Sequence, residues 1–334
     1  MRLATFLHLT VASLGLASAI PSPSPSPLPS PSPSPSPPTP RPTNITQALF
    51  DEFTSLSELV DIAYCVGTLN SGIDVPFTCL SYCAHFPSLT LIKTWNTGLK
   101  LSDSCGYIAL SPGDRRIIVA FRGTYSLINA LADLSLARQE YLPYPDAECN
   151  GCTVHAGFLE SWGQTEKIIG GVLGDLLQQY PGYKLELVGH SLGAAVAALA
   201  ALDFAGRAWN ADIRVTTFGE PKGGNKEFAG FLDRRFDNTS YRRITHINDP
   251  VPLLPFESLG YHHHGHEYYI SAPHLPCTIE DVVKCEGGAE DPNCVAGTNF
   301  SMFGSLMGHR DYFHRLGLCL PEQWSGRRGR SEEL

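Results

Sequence analysis

The sequence predicts an α/β domain built on a central, mostly parallel sheet flanked by helices. Two observations carry this. Strand-like and helix-like segments alternate along one chain without an internal repeat. Apolar residues make up 43% of the 334, enough to fill one large core. "RRIIVAF" (115–121) is a short continuous apolar run, the pattern of a buried strand. "FLESWGQTEKIIGGVLGDLLQQYP" (158–181) carries apolar residues at helical spacing and stops at Pro181, which lacks the N–H a helix needs. "YKLELV" (183–188) reads as a strand and "SLGAAVAALAALDFAGRAW" (191–209) as a helix. "DIRVTTF" (212–218) and "SYRRITHI" (240–247) add further strands.

The flanks have a different character. Arg2, an apolar stretch over 3–16 and Ala17-Ser18-Ala19 form a secretory signal over residues 1–19, so the mature chain is expected outside the cell. The apolar run is too short to span a bilayer, and no later segment reads as transmembrane. Residues 20–42 are Pro/Ser-rich, have almost nothing to bury and are expected to form an extended, disordered linker. The globular domain is expected over 43–320, followed by a polar, disordered tail over 321–334. With 33 acidic against 24 basic residues, the chain is a poor partner for nucleic acid. A monomer is expected. Asn44, Asn238 and Asn299 open N-x-S/T sequons and are candidate glycosylation sites. Ten cysteines in an exported chain point to disulfides. Cys149 and Cys152 have CxxC spacing, but without a second such pair the Asn-Gly between them suits a tight covalent clip better than a metal.

Gly189-His190-Ser191-Leu192-Gly193 is a G-x-S-x-G sequence set between an apolar strand and a small-residue helix. That context makes Ser191 a candidate nucleophile, held in a tight turn whose flanking glycines carry no side chain. A serine hydroxyl needs a base, and the base needs a carboxylate to orient it. Asp249, after a strand in "THINDPVPLLP", is the best carboxylate; Asp233 and Asp237 are its rivals. Downstream lie His262, His263, His264, His266, His274, His309 and His314. "HHHGH" reads as part of a strand-like "YHHHGHEYYI", whose residues alternate faces and lack an HExxH or cysteine partner, so no metal and no cofactor are expected. His309, on a loop in "MGHRDYFHRLGLCL", and His314 remain as candidate bases.

These residues resemble the fungal class 3 lipases, which have the α/β-hydrolase fold and include triacylglycerol lipases and related feruloyl esterases. The likeness runs from about residue 56 to 320 and rests on "AYC" (63), "IIVAFRGT" (117), "VHAGF" (154), "VGHSLGAA" (188), "TFGEPKGGN" (217), "HINDPVPLLP" (246), "EYYI" (267) and "HRDYF" (309). It implies Ser191, Asp249 and His309 as the catalytic residues, selecting His309 over His314. It implies backbone N–H groups of Leu192 and Thr124 as the oxyanion hole, the Thr124 hydroxyl adding a second bond. It implies disulfides Cys65–Cys319, Cys79–Cys83, Cys149–Cys152 and Cys285–Cys294, which leaves Cys105 and Cys277 as a fifth pair.

The resemblance also bears on Ser126, Leu127, Ile128, Asn129, Ala130, Leu131, Ala132, Asp133 and Leu134. Leu127, Ala130, Leu131 and Leu134 fall on one helical face, with Ser126, Asn129 and Asp133 on the other. In the lipases this segment is a lid that opens at an oil–water interface; the feruloyl esterases carry a more polar one. The apolar face favours a lipase acting on lipid esters, with triacylglycerol as substrate. Where many of these lipases have tryptophan, this chain has Ala130, which implies weaker interfacial activation. The alternatives are a feruloyl or short-chain carboxylesterase, and a non-catalytic lipid-binding or wall protein.

Overall fold

The computed structural model describes residues 42–67, 72–98, 103–124, 137–142, 149–207, 209–298 and 307–321. All lie within one unit, Thr39–Leu334. The expected signal, nearly all of the linker, the lid segment Ser126–Leu134, Asn299 and the tail from 322 fall outside the described residues.

In chain order the main elements are β1 (Thr43–Asn44), α1 (Gln47–Ile62), β2 (Thr90–Asn96), β3 (Cys105–Ser111), β4 (Arg116–Arg122), β5 (Arg138–Glu140), β6 (Thr153–His155), α2 (Ala156–Gln179), β7 (Lys184–His190), α3 (Leu192–Gly206), β8 (Asp212–Phe218), α4 (Lys226–Arg235), β9 (Tyr241–His246), β10 (Glu267–Ile270) and β11 (Val282–Lys284). Among the described residues, one sheet runs β1-β11-β10-β9-β8-β7-β4-β3-β2, and β5 pairs with β6 apart from it. The middle strands β4, β7, β8, β9 and β10 are parallel. The flanking pairs are antiparallel, so the sheet is mixed, with its parallel part at the centre. The reason on one side is local: β3 and β4 are joined by Pro112-Gly113-Asp114-Arg115, too short for the crossover that a parallel pair requires.

Strand periodicity divides the core in two. In β4, Ile117, Val119 and Phe121 join the apolar cluster formed with α2, α3 and α4, whereas Ile118 and Ala120 join the one formed with α1. α3 is buried on every face from Gly193 to Phe204, as its unbroken apolar, alanine-rich sequence requires. α1 buries Phe53, Leu56, Leu59 and Val60, and Thr46 caps its start by accepting from the Leu49 N–H at 3.3 Å. Inside the sheet, Arg243 of β9 and Glu267 of β10 meet at 3.1 Å with both side chains 0% exposed. Such a pair persists only with good geometry and further bonds, which Thr245 and the Val295 N–H supply to Glu267.

Two expectations need correcting. The "HHHGH" stretch is not a strand: β10 begins only at Glu267, and His266 has φ 63°, which breaks an extended run. The disulfides Cys65–Cys319, Cys79–Cys83, Cys149–Cys152 and Cys285–Cys294 are all formed, but Cys105 and Cys277 are separate buried thiols. Cys105 opens β3, whereas Cys277 lies between β10 and β11, toward the other end of the strand order. With neighbouring strands about 4.8 Å apart, that separation far exceeds the reach of a disulfide.

The end of α1 is pinned to the segment around Gly317. Asp61 accepts from the Ser81 hydroxyl at 2.6 Å and from the Gly317 N–H at 2.7 Å. Burial raises its carboxyl from 3.8 to about 6 despite these bonds. The folded chain therefore holds this proton more tightly than the unfolded chain does. Its contribution to stability falls as pH rises between those two values, by roughly 3 kcal/mol at 1.36 kcal/mol per unit. Asp61→Asn should accordingly gain on the wild type by that order between about pH 4 and pH 7 in urea titrations. An unchanged stability difference at the two pH values would contradict the assignment.

Candidate active site

Ser191 sits between β7 and α3 with φ 59° and ψ −129°, a strained conformation for a residue with a side chain. The two flanking glycines make the turn possible. A Cβ on Gly189 would lie 2.4 Å from the Gly193 carbonyl oxygen, and one on Gly193 would lie 2.4 Å from that of Phe121. Strand β7, the start of α3 and the end of β4 thus close around the serine with no room for two more side chains. The Ser191 N–H donates to the Phe218 carbonyl at 3.0 Å, fixing the turn to the end of β8.

The neighbouring pieces converge here. Gly123 follows β4, and a Cβ on it would come within 2.8 Å of Ser191 Cβ, which puts the adjacent Thr124 beside the turn. Leu192 is the first residue of α3, so its N–H belongs to the set that a helix cannot satisfy internally and that carries the positive end of its dipole.

Asp249 lies just past β9, at the carboxyl end of the parallel strands, where an open α/β sheet places its ligands. His309 Nδ1 lies 2.9 Å from each Asp249 carboxylate oxygen. Tyr312 donates its hydroxyl to Oδ2, and the Val251 N–H donates to Oδ1 at 2.8 Å. Burial works to raise the Asp249 carboxyl, but His309 and these donors outweigh it and hold it below the usual range. Gly219, next to Phe218, is the contact point: a Cβ there would meet Asp249 Oδ2 and the Tyr312 hydroxyl at 2.7 Å and His309 Cε1 at 2.9 Å. His309 is buried and its Nε2 has no hydrogen-bond partner among the described residues.

The rivals are engaged elsewhere. Asp233 binds the Gly265 N–H and faces His266, and Asp237 closes an exposed turn with Thr239 and Ser240. His314 packs on Tyr82 with ring centroids 4.5 Å apart and contacts the Ser57 hydroxyl at 3.3 Å; burial pushes it down to about 3. In the histidine-rich stretch, ligand atoms of His263, His264 and Glu220 lie within 4.8 Å of one another. Glu220 already accepts from His264 at 3.1 Å, Thr217 at 2.6 Å and Tyr241 at 2.9 Å, so a cation there would have to displace those donors. Asn44 and Asn238 are exposed, as glycosylation would require, and Asn238 Oδ1 contacts His266 at 2.6 Å.

Three residues at this site were not singled out from sequence. Tyr312 supports Asp249, while Tyr64 and His190 form a buried hydrogen-bonded pair at 2.5 Å beside the turn. The signals were present: Tyr312 lies three residues after His309, Tyr64 is the centre of "AYC", and His190 precedes the serine.

A parallel-centred sheet with a strained serine turn between strand and helix, and an Asp–His pair at the strand ends, defines an α/β-hydrolase. Residues 118–259 match the family described as Lipase (class 3). The chain is 42% identical to "Secreted mono- and diacylglycerol lipase 2" of Gibberella zeae, with 84% of each covered. It is 31% identical to "Lipase" of Rhizomucor miehei, over 82% of this chain and 71% of that one. Its fold is similar to the crystal structure of Lip2 lipase from Yarrowia lipolytica, with TM-score 0.78 and 31% identity, covering 84% of this chain and 98% of that one. The chain belongs to the class 3 lipase family. It is a secreted carboxylic ester hydrolase. No helix among the described residues is long and apolar enough to cross a membrane.

Proposed function

We propose that the chain hydrolyses acylglycerols, triacylglycerol among them, through an acyl-enzyme formed on Ser191. Ser191 Oγ attacks the ester carbonyl while His309 Nε2 takes its proton and then passes it to the departing alcohol. Asp249 fixes the imidazole with its proton on Nδ1 and stabilises the cation that forms. The Leu192 and Thr124 N–H groups, with the Thr124 hydroxyl, hold the developing oxyanion; each such donor typically contributes about 3 kcal/mol. Water then attacks the acyl-enzyme, with His309 as base, and releases the fatty acid. The reading is carried by the buried Asp249–His309 pair at 2.9 Å, packed against the strained serine turn. The Ser126–Leu134 segment would act as a lid, its apolar face meeting lipid when open.

The test is a substrate panel with purified enzyme: tributyrin emulsion, mono- and diacylglycerols, longer triacylglycerols and methyl cinnamates, with Ser191→Ala as control. Hydrolysis of the acylglycerols that Ser191→Ala abolishes is expected. Hydrolysis of cinnamates with none of tributyrin would replace the lipase reading by a feruloyl-type esterase.

A further inference from the structure

We propose that His190 is a positioning residue which, together with Tyr64, locks the end of β4, the serine turn and the His309 backbone into one hydrogen-bonded unit. The proposal rests on His309 being the general base. His190 Nε2 lies 2.8 Å from the His309 carbonyl oxygen, and Nδ1 lies 2.5 Å from the Tyr64 hydroxyl. That hydroxyl oxygen in turn accepts from the Gly123 N–H at 3.1 Å. All of these groups are buried.

The chemistry of the partners fixes every proton. A carbonyl oxygen only accepts, so Nε2 must carry hydrogen. In a neutral ring Nδ1 is then bare and accepts, so the Tyr64 O–H donates to it. The other neutral tautomer would set a bare Nε2 against a carbonyl oxygen, two acceptors facing each other in a buried site. The doubly protonated ring is disfavoured as well: burial, and then the neighbouring His309, push His190 down to about 3. One tautomer survives.

The consequence is geometric. Gly123 precedes Thr124, His190 precedes Ser191, and the carbonyl belongs to His309 itself. The relay therefore joins the backbone of all three reacting elements, and Asp249 fixes the His309 side chain independently. The His190 and His309 rings lie 4.5 Å apart at 31°, so the first also limits tilting of the second. A permanently neutral neighbour is what this contact needs, because a second cation there would oppose the imidazolium that forms on His309 as Ser191 attacks.

The test combines kinetics with tautomer detection. Tyr64→Phe removes one hydroxyl from a site that keeps its ring packing, and should lower kcat up to about a hundred-fold with KM nearly unchanged, because misplaced reacting groups cost rate rather than binding. His190→Gln, whose amide nitrogen stands as far from Cβ as the imidazole Nε2 and can donate toward the His309 carbonyl, should recover part of what His190→Leu loses. In 15N-histidine spectra of the wild type, the signal lost in His190→Gln should report a neutral Nε2–H ring throughout the pH range in which the enzyme stays folded. A ring protonated on Nδ1, or one titrating near 6.5, would overturn the proposal, as would kcat unchanged in Tyr64→Phe. These outcomes differ from failure of the underlying reading, in which Ser191→Ala or His309→Ala would themselves leave activity intact.

Discussion

Replacing His309 with alanine is expected to lower kcat/KM on an acylglycerol by about 10⁴-fold while leaving the fold intact, whereas His314→Ala should leave it within a few-fold. The two histidines stand five positions apart on the same segment, yet their surroundings assign them opposite duties. His309 spends one nitrogen on a buried carboxylate, and its other nitrogen has no hydrogen-bond partner among the described residues. His314 lies against Tyr82 and Ser57 under α1, where burial holds it neutral down to about 3. Losing His309 would remove the proposed proton acceptor, and the Asp249 carboxylate is engaged by the Tyr312 hydroxyl and the Val251 N–H. Losing His314 costs packing, so its effect should appear in the melting temperature and not in turnover by folded enzyme. Steady-state kinetics of both variants, with circular dichroism to verify folding, separates the two. Comparable losses of kcat/KM in both would show that the segment acts only as a structural unit.

The second large effect is on stability. Cys65–Cys319 closes a loop with a sequence separation of 254, against separations of 4, 3 and 9 for the other three bridges. In the chain-entropy account a loop of that length contributes about 5 kcal/mol by restricting the unfolded chain, well above what the short clips contribute. The bond also anchors the segment that carries His309 to the end of α1, alongside the Asp61–Gly317 hydrogen bond. Replacing Cys65 and Cys319 together with serine should lower the melting temperature by roughly 10 °C or more. It should also make residual activity fall at a lower temperature than global unfolding, because the anchor of the base loosens first. The same replacement of Cys79 and Cys83 should have a clearly smaller effect. Equal shifts from both double variants in differential scanning calorimetry would contradict the loop-length argument.

How far the sequence alone reached follows the physics of each feature. β8 was delimited as observed because Ile213, Val215, Thr216 and Thr217 are β-branched and favour extended backbone, and the helix after Ser191 was placed to within a few residues because its long apolar, alanine-rich run announces a buried helix. Ser191 and Asp249 stood out as candidates from the flanking glycines and from a position just past a strand, whereas His309 and His314 were equal candidates on the residues alone and only the family resemblance favoured His309. The short strands β1 and β11, at one side of the sheet, offered too few residues for periodicity to register. The "HHHGH" stretch misled because alternating polar residues mimic a strand, while His266 takes a left-handed backbone that composition does not announce. The Cys105–Cys277 pairing failed for a related reason: strand order decides which cysteines can meet, and order comes from long-range pairing. Tyr64, Tyr312 and His190 escaped because a supporting hydrogen bond depends on where distant segments meet, not on any local pattern.

The account turns on Ser191 being made nucleophilic by His309. Its most direct test is covalent capture: incubate the enzyme with an alkyl p-nitrophenyl phosphonate, digest it and map the adduct by mass spectrometry. A single adduct on the peptide containing Ser191 is expected, formed in step with loss of activity, absent in Ser191→Ala and greatly slowed in His309→Ala. Inactivation with the label on another residue, or labelling of Ser191 at the wild-type rate without His309, would contradict it.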